Sequence, residues 1–445
     1  MGEDSTRPTK FLGLTLRQAV VLGVIAYALI TGLFIAKNFN SASEVEPLSS
    51  GANIVASLLG KANAALANEE NVLESVFDAE VEVGDGAWQL GSKVYHSSVV
   101  FGLNYDDMMA KFKIFIYPGK DHAFKALSNG QDAKGLMAHT EEYFMYQLYQ
   151  SDFVTLDPEK ANLLLLPISI RSLVEDPEVG IEKLGKWLSR YVQALRDDYP
   201  YWARTLGADH VVVTCDDLTG DGSRNVLELN KNAIQVACSP LGGNGLQAFF
   251  PHKDVAMPLV QTIRQPSASL AAPEAEGKRS TLVYYHGDTD ADSHYAALEV
   301  SWKSDSRFKF EPKGVEAVVH YQCLSTSKFC LILGPQDYPD IVGALKYGCV
   351  PVLVSDGKLY DLPFQDILDW SQFTIILSAK NAKNIRSMLN EVDDTQYAAM
   401  QFLGKEASKH MEWHDPPVER DAFYLVLYDL WIRRHAIRYV RREEL

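Results

Sequence analysis

The sequence predicts an α/β protein built from two halves of alternating strands and helices facing each other across a cleft. Three observations carry that expectation. Cys323–Leu377 alternates the short apolar runs FCLIL, VPVLVS and FTIIL with a Gly-containing helical segment and polar turns, the pattern of successive βα units. Lys113–Cys215 repeats it, with KIFIY, NLLLLPI and HVVVTC as strands and His139–Gln150 and Val179–Tyr199 as helices. A Pro-, Ala- and Ser-rich connector, Gln265–Lys278, separates the two series.

Composition is consistent with this. The 445 residues are 47% apolar and 22% charged, enough to bury two packed domains and too apolar for a disordered chain. The net charge of −16, from 58 acidic and 42 basic residues, excludes nucleic acid as a partner class, because phosphate backbones select clustered Lys and Arg. The C-terminal run IRRHAIRYVRREEL is the one basic cluster, and at helical spacing it reads as a solvated helix face.

From the N-terminus, residues 1–18 read as a cytosolic tail and 19–36 as a transmembrane signal-anchor. Ala19–Ala36 carries no charge, and at about 1.5 Å per residue it spans about 27 Å, close to the hydrocarbon thickness of early secretory membranes. Arg7, Lys10 and Arg17 precede it and only Lys37 follows closely, so the positive-inside rule sends the remaining chain into the lumen. A cleaved signal peptide is the alternative, but the apolar core exceeds the usual length and no clear cleavage site follows. Residues 37–102 read as a stem, with Ile54, Leu58, Ala62, Ala65, Val72 and Val76 near helical spacing. The first folded domain is expected over 103–264, the linker over 265–278 and the second domain over 279–445. Within the first, AIQVAC and FFPHKDVAMP follow HVVVTC, and TLVYYHG opens the second. All five cysteines, Cys215, Cys238, Cys323, Cys330 and Cys349, lie in the expected lumenal part, where disulfides are permitted. An odd number leaves at least one thiol unpaired, no spacing resembles a zinc site, and Cys323–Cys330 is the expected bridge.

The phrases FCL, GCVPVLVSD, LPF and LDW resemble the C-terminal signature of the exostosin-like glycosyltransferases (glycosyltransferase family 47). FVTLDPEKANLLLLPI, YPYWARTLGADHVVVTCDD, FFPHKDVAMP, RSTLVYYHGD and DAFYLVLYDLWIRR resemble that family's successive landmarks, so the likeness covers Lys113 to Arg433. It implies a GT-B fold of two Rossmann-like domains, a nucleotide-sugar donor held mainly by the C-terminal domain, and transfer with neither metal nor other cofactor. A glycan acceptor, one membrane-spanning helix, residence in the Golgi membrane as a type II protein and homo- or hetero-oligomers with other glycosyltransferases complete the expected setting.

The resemblance places donor binding on Gly334, Pro335, Asp340, Gly343, Lys346 and Ser355, with Tyr338 shaping the same loop. Its usual S-x-R-x-x-E-A, aligned on Ala344, has an Arg suited to phosphate and a Glu suited to ribose; this chain has Asp340 and Gly343 there. The segment after TLVYYHG is usually basic, yet here DTDADSHYAALEV leaves no cation between Arg279 and Lys303, so Lys328, Lys346 or a bound cation would have to compensate. Asp288, Asp290 and Asp292 offer oxygen ligands to a divalent ion, but a polar surface loop is the commoner origin of such a run. Glu141 and Asp217 are the candidate catalytic residues. Glu141 precedes an aromatic pair as in the family, against the plain reading of a helix-surface acid; Asp217, with Asp216, follows a buried strand where α/β ligands gather, against that of a turn. His210 reads as a structural hydrogen-bonder, and Lys253 and Asp254 as bordering the cleft. The two expectations for function are an active transferase and, because of Asp340 and Gly343, a catalytically weak or inactive family member acting as scaffold for an active one. A secreted lectin-like binder requires the anchor to be cleaved.

Overall fold

The computed structural model describes residues 91–118, 140–215, 227–238, 249–260, 279–287, 305–312, 314–333, 339–355, 362–378 and 384–440. The membrane span expected at 19–36 and the stem pattern of 54–76 lie outside them. No helix among the described residues is long and apolar enough to cross a membrane.

Eleven strands occur among the described residues: β1 Ile114–Ile116, β2 Val154–Thr155, β3 Leu163–Leu165, β4 His210–Thr214, β5 Ile234–Cys238, β6 Val255–Met257, β7 Thr281–Gly287, β8 Phe308–Pro312, β9 Ser327–Ile332, β10 Val350–Ser355 and β11 Ile375–Ser378. The helices between and around them are α1 Ser98–Lys111, α2 Thr140–Tyr149, α3 Ile170–Glu175, α4 Gly180–Asp198, α5 Tyr201–Thr205, α6 Leu227–Lys231, α7 Ala317–Thr326, α8 Pro339–Lys346, α9 Ile385–Glu391, α10 Asp394–Lys409 and α11 Ala422–Val440.

The strands form two sheets, ordered β2-β1-β3-β4-β5-β6 and β11-β10-β9-β7-β8, and every pairing is parallel. Central parallel strands are covered on both faces, which is why β3, β4 and β5 are buried along their whole length and read as continuous apolar runs in the sequence. In α4, Leu184, Leu188, Val192 and Leu195 fall on one face and are buried, so the helix packs along a single stripe.

Each sheet has one point where the strand order reverses. The chain leaves β1 to build β2 on one side and β3 on the other, and it leaves β7 to build β8 on one side and β9 on the other. Crossovers on opposite faces leave a crevice at the carboxyl ends of such a strand pair.

One apolar core joins elements of both halves, from Ile114 and Met108 to Leu353 and Phe364. The last helix, α11, packs on the first half: Trp431 meets Phe112 edge-on at 5.6 Å, and Phe423 lies 5.9 Å from Phe144. Arg433 clamps the halves together, donating to the Asp254 carbonyl at 3.1 Å and pairing with Asp366 at 2.7 Å and Asp429 at 3.3 Å. Val94 and Phe101, placed by sequence in the stem, are buried in this same core, so the folded body includes residues before 103.

The cysteines pair as Cys215–Cys238, linking β5 to the end of β4, and Cys330–Cys349, linking β9 to the lead-in of β10. The expected Cys323–Cys330 bridge is therefore incorrect, and Cys323 is a buried free thiol. Cys323, Cys330 and Cys349 share one apolar cluster, where neighbouring strands bring Cys349 to Cys330 and leave Cys323 on α7.

Candidate active site

Among the described residues, the end of the second sheet at its switch point holds the one group of three or more His, Cys, Asp or Glu side chains that converge, His286, His320 and Asp340. Helices that return to a parallel sheet begin at its carboxyl edge, so the first turns of α7 and α8 meet the end of β7 there. His286 stands next to last in β7, His320 in the first turn of α7 and Asp340 in the first turn of α8. His286 Nδ1 and Asp340 Oδ2 share a hydrogen bond of 2.8 Å. His320 Nε2 lies 3.9 Å from Asp340 Oδ1, and the two imidazole rings are 4.3 Å apart between centroids.

Neighbours hold this group in place. Tyr284 bonds His320 Nδ1 at 2.9 Å, which fixes the ring and turns Nε2 towards Asp340. Burial pushes the Tyr284 phenol far above its ordinary value, so it stays protonated. Burial also holds His320 below its ordinary value, against the upward pull of Asp340, which favours the neutral imidazole. Among the described residues His286 Nε2, a buried atom, has no hydrogen-bond partner. The strand β7 ends on Gly287, where an added Cβ would collide with the Tyr285 hydroxyl, so glycine lets the strand finish close over that ring.

The sequence-predicted donor residues divide by position. Asp340 is in the group, and Ser355 ends β10 on the same carboxyl edge, its backbone in register with Ser378. Gly343 is buried in α8, its carbonyl accepting from Tyr347 N at 3.0 Å. Lys346 stands on the last turn of that helix, about 9 Å along the axis from Asp340, where it pairs with Glu412 at 3.2 Å. Lys328 pairs with Asp394 at 3.0 Å near the amino end of β9. Both lysines are thus engaged in ion pairs with other acids. Gly334, Pro335, Tyr338, Asp216, Asp217 and the acids Asp288, Asp290 and Asp292 lie outside the described residues.

In the first half, Glu141 is 3% exposed in the first turn of α2. Its Oε1 accepts from Ile170 N at 3.1 Å and its Oε2 from Cys215 N at 3.3 Å. It is no helix-surface acid: it ties together the segments that follow β3 and β4. His210, at the start of β4, is wholly buried between Tyr117, 2.8 Å from its Nε2, and Asp209, 2.9 Å from its Nδ1, in the structural role expected. Asp254 is also buried, accepting from Gln235 N at 2.9 Å and Phe250 N at 2.8 Å with Lys253 paired to it. It lies at the amino ends of β5 and β6, opposite to the edge where α/β ligands gather, so Lys253 and Asp254 brace the sheet.

Sequence reasoning missed His286 and His320. The usable signal was a histidine as the penultimate residue of a predicted strand, TLVYYHG, immediately before the reversal of strand order.

Comparison with known proteins identifies the family. The Exostosin GT47 domain matches residues 108–392. A probable glycosyltransferase of Arabidopsis thaliana is 28% identical over 358 residues, which cover 78% of this chain and 66% of that protein. A probable glucuronoxylan glucuronosyltransferase of Arabidopsis thaliana is 25% identical over 315 residues, 64% of this chain and 65% of that one. Among solved structures, HepE of Anabaena in complex with UDP-glucose covers 75% of this chain and 99% of its own, at 12% identity and a TM-score of 0.30, too low to weigh in the assignment. The chain belongs to the Exostosin GT47 family of glycosyltransferases.

Proposed function

We propose that the chain moves a sugar from a nucleotide-sugar donor to a polysaccharide or other glycan acceptor, with its two sheets in a GT-B arrangement, as a type II protein of the Golgi membrane. The observation that carries the donor assignment is the position of Asp340, which stands at the switch point of the second sheet beside His286 and His320, inside the matched domain. A departing nucleoside diphosphate needs positive potential, and the amino termini of α7 and α8 supply it at this edge. The name of the glucuronoxylan glucuronosyltransferase relative supports a polysaccharide acceptor. The two disulfides support an oxidising compartment, and the uncharged run at 19–36 supports the anchor.

The test is transfer by the purified full chain, offered a panel of radiolabelled nucleotide sugars with xylan- and glucuronoxylan-type oligosaccharides. Label from one donor should enter one acceptor class, and His286→Ala should abolish it. A tag on the N-terminus should be digested by protease outside intact microsomes while one after Leu445 is protected. The second reading, a scaffold for an active transferase, is favoured by Asp340 itself, an acid where the family resemblance calls for an Arg. It would show as no transfer across the panel together with stimulation of a partner transferase.

A further inference from the structure

We propose that His286, His320 and Asp340 form a binding site for a borderline-soft divalent cation of the Zn²⁺ type. Among the described residues they are the one group of three or more His, Cys, Asp or Glu side chains whose ligand atoms converge, all lying within 4.8 Å of one another. Tetrahedral ligands about 2.1 Å from such an ion stand about 3.4 Å apart. The contacts of Asp340 to the two histidines, 2.8 and 3.9 Å, bracket that spacing, and side-chain rotations would complete the set.

The supporting shell is that of a ligand site. Tyr284 holds the far nitrogen of His320, as outer partners hold metal-bound imidazoles. Among the described residues nothing bonds the buried His286 Nε2; with Nδ1 as the ligand atom, Nε2 is the nitrogen left for an outer partner. Two nitrogens and one carboxylate select zinc-like ions over Ca²⁺ or Mg²⁺, which prefer oxygen alone. Three protein ligands leave a fourth position open, the arrangement of sites that bind substrate.

This gives Asp340 a purpose. Where the family resemblance expects an Arg to meet the donor diphosphate, this chain has an acid, and an acid can meet a phosphate only through a cation. The ion would restore the positive charge, with a diphosphate oxygen taking the open position. The ion site stands on the three side chains alone; its role towards diphosphate rests on the donor-site reading above.

The full chain, purified in detergent and stripped with chelator, is titrated with Co²⁺ and, separately, with UDP before and after Co²⁺ loading. Wild type should take up one Co²⁺ with the visible absorption of a tetrahedral centre. His286→Gln, His320→Gln and Asp340→Asn should each weaken uptake at least about 100-fold, and Tyr284→Phe about tenfold, with near-ultraviolet circular dichroism unchanged. Absence of stoichiometric Co²⁺ binding by wild type, or wild-type binding by all three ligand variants, would overturn the site. UDP should bind more tightly to the Co²⁺-loaded chain. Equal UDP affinity with and without Co²⁺ would remove the ion's role towards diphosphate. Failure of UDP to bind in either state, with Co²⁺ still bound, would leave the ion site standing and count against the donor-site reading instead.

Discussion

His286 Nδ1 and Asp340 Oδ2 meet at 2.8 Å across 54 residues of sequence, one at the end of β7 and the other at the start of α8. The pair marks the switch point of the second sheet, where the donor diphosphate is proposed to bind. In chelator-treated protein the Asp340 carboxylate repels phosphate. Asp340→Arg should then tighten binding of a nucleoside diphosphate by at least about tenfold, since one decade is about 1.4 kcal/mol and a charge-assisted hydrogen bond exceeds that. Weaker binding by the variant would show that Asp340 is not the group facing the phosphates.

Glu141 holds two backbone amides with its two oxygens. Glu141→Gln replaces one acceptor by an NH₂ that points at an amide N–H, at a cost of about 1 to 3 kcal/mol. Thermal denaturation should show a clear fall in Tm. An unchanged Tm with turnover lost would instead make Glu141 a catalytic base.

Much of this fold was legible in the sequence, because Leu163–Leu165 and Val211–Val213 are central parallel strands and such strands are apolar throughout. The boundary of the body was not. Val94 and Phe101 owe their burial to partners more than 300 residues away, such as His410 and Tyr428 around the Tyr95 and Phe101 rings, and no local pattern reveals those. Cysteine pairing was equally hidden, since Cys323, Cys330 and Cys349 occupy one cluster and only the adjacency of β9 and β10 selects the partner. The site itself was half legible: the family resemblance pointed to Asp340, while the histidines reach it only through the strand order β9-β7-β8.

Thiol chemistry checks the pairing. Iodoacetamide should leave the native, unreduced chain unmodified and add one label, at Cys323, after denaturation without reductant. Cys330→Ser should cost about 2 to 4 kcal/mol of stability. Labelling of Cys330 or Cys349 in the unreduced denatured chain would refute the assignment.

Asp429 is wholly buried, and burial pushes its carboxyl up to about 7, with Arg433 opposing. In the unfolded chain the group titrates near 3.8. Between these values the folded protein keeps a proton that the unfolded chain has released, so the contribution of Asp429 to stability falls as pH rises from about 4 to about 7. Asp429→Asn should flatten the dependence of Tm on pH across that window. The same slope in variant and wild type would place the titration elsewhere.

The central claim is that the carboxyl edge of the second sheet receives a nucleotide-sugar donor, and calorimetric titration of the full chain with a panel of nucleoside diphosphates, in the presence of Zn²⁺, tests it most directly. The account predicts that at least one binds in the micromolar range and that His286→Ala or His320→Ala weakens it at least about tenfold. Absence of binding by every member of the panel up to millimolar concentration, or binding that neither substitution alters, would contradict it.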